Sequence, residues 1–94
     1  MNKEKFLPVG TTVKLNGERG ICVIMGFLVQ KQESNDKKVY DYLGCTYPYG
    51  FYDPTISLMF NHSDISEVLH EGYVNDDWNS FDEKLKEVVK EQNL

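Results

Sequence analysis

Between Val39 and Glu83 the chain has no lysine and no arginine, yet nine aspartates and glutamates fall in the same stretch. Cations that neutralise phosphates drive nucleic-acid binding and adsorption to anionic membranes alike. This stretch favours neither, and the expected partner is a protein with a basic or amphipathic surface. The flanks differ. Residues 1–38 carry seven basic and four acidic side chains, residues 84–94 three basic and two acidic, and the whole chain sums to −5.

Cysteine is limited to Cys22 and Cys45, which form no CxxC and have no Cys/His cluster around them. A zinc site or dithiol redox motif therefore has no support. They read as small buried hydrophobes of a reducing compartment, with a disulfide between adjacent strands as the alternative. Histidine is limited to His62 and His70. His62 reads as a turn residue and His70 as a sheet-face residue, and neither has a diagnostic metal or general-base spacing. No serine lies in a nucleophile motif. "GERG" lacks the lysine and the strand-to-helix context of a phosphate loop. Asp76 and Asp77 are adjacent, which suits helix capping better than acid/base work. The expectation is a chain that is not an enzyme and holds no metal and no cofactor.

Long hydrophobic runs are also missing. The longest, Ile21–Val29, is about half a membrane span, and the polar Met1–Lys5 start precedes nothing like a signal-peptide core. No lipidation motif is present. A cytoplasmic location without direct membrane binding is expected. No repeat or linker divides the 94 residues, so one domain over 1–94 is expected, with residues 1–5 frayed.

What is present reads as β structure followed by one helix. "TTVKL" and "ICVIMGFLVQK" flank Asn16-Gly17, a strong hairpin signal. Gly26 suggests a bulge that bends the second strand. Gln32–Asp36 is a polar loop. "KKVYDYLG" is the next strand, with Val39, Asp41 and Leu43 on one face and Tyr40 and Tyr42 on the other. Tyr47–Pro54 is rich in turn residues and forms an extended loop. "TISLMF" is a short strand, Asn61–Asp64 a turn, and a further strand spans about Glu67–Val74 with an irregularity at Gly72. Trp78, Phe81, Leu85, Val88 and Val89 make one stripe at helical period, which predicts a helix over 76–91. Residues 75–77 supply its cap, and Ser80 with Glu83 offers a later start. The fold class is α+β: four to six antiparallel strands in a small curved sheet or partly open barrel, with the C-terminal helix packed on it.

Six of the twelve aromatic residues lie between Tyr40 and Tyr52. Some of these rings belong to the core. Others, with Gly and Pro beside them, have the character of a binding surface. The candidate protein-interaction residues are Tyr47, Tyr49, Phe51, Tyr52 and Asp53.

"LPVGTTVKLNG", "YDYLGCTYPYG" and "FNHSDISEVLHEGY", in that order before an acidic terminal helix, resemble the bacterial family of domain of unknown function 4176. The resemblance spans about Leu7 to Phe81. Its motif positions include Tyr40, Asp41, Tyr42, Tyr47, Pro48, Gly50, Phe60, Asn61, His62, Asp64, Ile65, Gly72 and Tyr73. Tyr49 departs from the polar or acidic residue expected after the proline. The resemblance implies a small accessory protein of Gram-positive Firmicutes, whose genes lie beside those for type VII secretion and LXG-type toxins. It carries no catalytic residues. The expected role is a chaperone or targeting adaptor for a secreted toxin encoded nearby; the alternative is an immunity protein that blocks a toxin's active site. The oligomeric state is left open.

Overall fold

The structure is a computed structural model that describes residues 5–31 and 37–94. Most of the expected frayed start and the polar Gln32–Asp36 loop lie outside the described residues.

Among the described residues five strands and one α-helix follow in order: β1 (Thr12–Leu15), β2 (Ile21–Val29), β3 (Tyr40–Tyr47), β4 (Leu58–Phe60), β5 (Ile65–His70) and α1 (Asp76–Glu91). Short 3₁₀ turns at Pro54–Ile56 and His62–Asp64 precede β4 and β5. All pairings are antiparallel, and the sheet order is β4-β3-β2-β1-β5. The fold is therefore α+β, as the sequence predicts.

The link between the two edge strands shows how far the sheet curls. β4 ends at Phe60 and β5 begins at Ile65, so the chain between them spans at most roughly 17 Å. In a flat five-stranded sheet those edges would stand roughly 19 Å apart. Three of the linking residues are in a 3₁₀ turn, which shortens the reach further. The sheet must bend so that its edges approach while staying open. The turn is held on both sides: Asn16 N–H donates to Asp64 O (2.8 Å), and His62 N–H to Asp41 Oδ2 (2.9 Å).

The local signals largely act as expected. Glu18 N–H donates to Leu15 O across Asn16-Gly17, and Gly17 takes a positive φ of 78°. Near Gly26 the β2–β3 register shifts between Ile24 and Gly26, so Met25 is the extra residue of a bulge. At the start of α1, Asn75 accepts from Trp78 N–H at 3.0 Å, which places the cap there and not at Ser80.

Several strand boundaries differ: β2 stops at Val29 and not at Lys31, and β3 starts at Tyr40 and not at Lys37. β3 continues past Gly44 to Tyr47, because Gly44 lets Cys22 Sγ and the Phe60 ring occupy the space a Cβ would need. Pro54 follows the cap residue Asp53, and the chain turns in a 3₁₀ helix before β4 can start. β5 begins earlier and ends earlier than the expected 67–74 strand. At Gly72 the backbone passes against Val9 and Thr11, and its N–H goes to Thr11 Oγ1 (3.0 Å) instead of a strand ladder.

The core lies between the sheet and α1. Phe6, Val13, Leu15, Cys22, Ile24, Tyr42, Phe60, Trp78 and Leu85 are buried there. Phe27 joins the layers, with ring centroids 5.4 Å from Trp78, 6.0 Å from Tyr42 and 6.1 Å from Phe6. Phe81 sits at the margin, half exposed, touching Phe27 and Trp78 edge-on. The segment before β1 straps sheet to helix: Phe6 N–H donates to Asp82 Oδ1 (3.1 Å) and Leu7 N–H to Tyr42 Oη (3.0 Å).

Candidate protein-interaction surface

The aromatic window splits at Gly44. Upstream, Tyr42 is fully buried, and Tyr40 is half-buried with the ammonium of Lys38 4.8 Å from its ring centre. Downstream, the rings turn outward: Tyr47 is 58% exposed, Tyr49 72%, Phe51 54% and Tyr52 68%. Among the described residues none of these four touches another ring or a cation.

The backbone beneath them is fixed. Gly50 N–H donates to Thr46 O (2.8 Å) across a cis Tyr47–Pro48 peptide, and Gly50 has a positive φ of 77° that glycine adopts at no steric cost. At the far end Asp53 Oδ1 accepts from Thr55 N–H (3.0 Å) and Thr55 Oγ1 (2.9 Å). The Thr55 amide, and then its hydroxyl, hold the Asp53 carboxyl below its ordinary range. The loop therefore presents four aromatic rings and one carboxylate from a pinned backbone. Tyr47 closes β3, a strand residue where a loop residue was expected, and the other four candidates, Tyr49, Phe51, Tyr52 and Asp53, follow it on the segment before β4.

A second polar group is buried beside the core. Tyr42 Oη lies 3.0 Å from His62 Nδ1 while accepting from Leu7 N–H. The hydroxyl thus joins the Leu7 amide and the His62 ring in one hydrogen-bonded group. Burial pushes the Tyr42 phenol up to about 12, which keeps it a donor. Asp41 is also buried, accepts from His62 N–H, and donates its own amide to Asn61 Oδ1 (3.2 Å). His62 thus lies in a turn as expected, but its ring has a structural partner, and this group ties β3 to the turn before β5.

Asp41 and Asp82 went unrecognised as buried groups in the sequence. Nothing local marks them, since their partners lie 21 and 76 residues away. His70 sits on exposed β5 opposite Thr12. Both cysteines are free thiols; Cys22 pairs with Thr46 and Cys45 with Val23, which puts them on opposite faces of the sheet and rules out the alternative disulfide. Among the described residues, no group of three His, Cys, Asp or Glu side chains could hold a metal ion, and no helix is long and apolar enough to cross a membrane.

Fold and surface together define a small α+β domain with one helix on a curled five-stranded sheet and an exposed aromatic loop at one end. Within that class, residues 6–81 match the family described as Domain of unknown function (DUF4176), and the chain belongs to it. No curated protein and no solved structure matches the chain.

Proposed function

We propose that the chain is a non-enzymatic protein-binding accessory factor of the cytoplasm, a chaperone or targeting adaptor for a type VII secreted LXG-type toxin. The observation that carries the protein-binding part is the pinned loop with Tyr47, Tyr49, Phe51 and Tyr52 exposed, inside a segment without a lysine or arginine. Exposed, rigid aromatic side chains supply contact area at low conformational cost, and the acidic segment selects a basic or amphipathic partner. The toxin client follows from the gene neighbourhood that the family resemblance implies.

The test is a pull-down with the products of neighbouring toxin genes, using the parent and a Tyr49→Ala/Tyr52→Ala variant shown to be folded. Retention of the toxin's N-terminal secretion region, lost in the variant, is the expected result. Capture of the C-terminal catalytic domain would make the chain an immunity protein, and unchanged capture by the variant would remove the loop from the interface.

A further inference from the structure

Directly opposed residues on antiparallel strands point to the same side of a sheet, and neighbours along a strand alternate. The register therefore assigns every position to a face. Val13 opposite Cys22, Ile24 opposite Gly44, and Tyr42 between Phe27 and Phe60 lie on the side covered by α1. The other side carries Ile21 opposite Tyr47, Val23 opposite Cys45, and Leu43 opposite Met59.

Antiparallel sheets with one covered face ordinarily alternate apolar and polar residues, so that the second face is polar. β2 and β3 do not. Ile21, Val23, Leu43, Cys45 and Met59 are half-buried, and none of them packs against the core. The apolar area stops at β1 and β5, where Lys14 stands opposite Glu67 and Thr12 opposite His70. At its other end it continues through Tyr47 into the aromatic loop.

We propose that this outer face of β2, β3 and β4 seats an amphipathic helix of a partner protein whose flanks carry lysine or arginine. The proposal rests on the protein-binding reading above and extends its surface from the loop onto the sheet. Three strands span roughly 10 Å between their outer axes, the width of one helix. α1 uses the opposite face in the same way. The charge of the occupant follows from β3, the loop, β4 and the turn into β5 with the start of that strand, which hold no lysine or arginine and present the carboxylates of Asp53, Asp64 and Glu67. A second copy would set two such segments against each other, which disfavours self-association as the cover.

The test uses designed 18-residue peptides: one with a leucine face and lysine/arginine flanks, one with the same face and glutamate flanks, and a scrambled basic peptide. Binding is followed through methyl and backbone-amide NMR of the full chain and peptide helicity by circular dichroism. The basic amphipathic peptide is expected to become helical and to shift the Ile21, Val23, Leu43 and Met59 methyls. Val23→Lys is expected to weaken it at least tenfold with thermal unfolding unchanged; Met59→Lys, on an edge strand, is the second variant should Val23→Lys unfold. Equal binding of the acidic or scrambled peptide overturns the proposal, as does a silent sheet face at millimolar peptide. A dimer in sedimentation that Val23→Lys disperses also overturns it, in favour of a second copy. Shifts confined to Tyr47–Tyr52 defeat the sheet seat and leave the loop reading standing. Binding that Val23→Lys abolishes and Tyr49→Ala/Tyr52→Ala leaves intact supports the sheet seat and defeats the loop.

Discussion

Tyr42 meets three parts of the chain at once. Its ring packs on Phe6, Phe27 and Phe60, while its hydroxyl accepts from the Leu7 amide and hydrogen-bonds His62 Nδ1. Tyr42→Phe keeps the ring and strands two polar groups, so it is expected to cost about 1–3 kcal/mol in denaturant unfolding. A loss below half of that would mean that Leu7 N–H and His62 Nδ1 find other partners. The buried acids of the core also set an alkaline limit. Burial, then the neighbouring Cys45, pushes the Cys22 thiol from 9.0 to about 12. Burial, then Asp41 and Asp82 against the Leu7 hydrogen bond, pushes the Tyr42 phenol from 10.0 to about 12. Both groups ionise more readily in the unfolded chain, so the fold gains from their protonated forms fully below the unfolded values. That gain is lost as the pH rises from 9 towards about 12. Melting temperature should fall over this window, and Cys22→Ala should flatten its first part. Parallel curves for parent and variant would show that the thiol is not responsible.

Helix α1 shows what an element reveals in advance and what it hides. Its span, a cap within residues 75–77 and its apolar stripe were legible, because capping and a 3.6-residue period are local properties, while the choice of Asn75 over Ser80 was not. Depth within the stripe was not. Trp78 and Leu85 are buried, whereas Phe81, which the stripe ranks with them, lies at the margin, and Asp82 is buried on the strength of the distant Phe6 amide. The same limit applies to β3: its alternation was visible, but only pairing with Phe60 and Phe27 decides that Tyr42 faces the core. The loop residues were found because Gly, Pro and Asp punctuate them, while their exposure depends on how Gly50 and Asp53 pin the ends. Truncations should follow depth. Trp78→Ala is expected to cost about 3–5 kcal/mol, and Phe81→Ala clearly less. Asn75→Ala should cost about 1 kcal/mol through the lost Trp78 amide contact. Equal losses for Trp78 and Phe81 in denaturant titrations would show that α1 sits more deeply than these contacts indicate.

At the scale of the whole molecule, the rings and the carboxylate of the loop do different work in association. The aromatic rings of the loop are more than half exposed and meet no other ring or cation among the described residues, so truncating Tyr49 should leave the fold intact and act on the bound state. Truncating a ring that becomes buried at the centre of an interface costs about 2 kcal/mol or more. Tyr49→Ala should therefore speed dissociation of the client by roughly 30-fold or more, with little change in association rate. Asp53 is different. Its Oδ1 is occupied by Thr55, and its charge projects from the rim of the loop. Asp53→Asn keeps an acceptor for Thr55 but removes one charge from a segment that attracts a basic partner. It should slow association, most visibly at low salt, and leave dissociation nearly unchanged. Stopped-flow association and displacement kinetics at two ionic strengths separate the two effects. If Asp53→Asn instead changes only the dissociation rate, the carboxylate is buried in the complex, and the loop's acidic end belongs to the contact's centre and not to its rim.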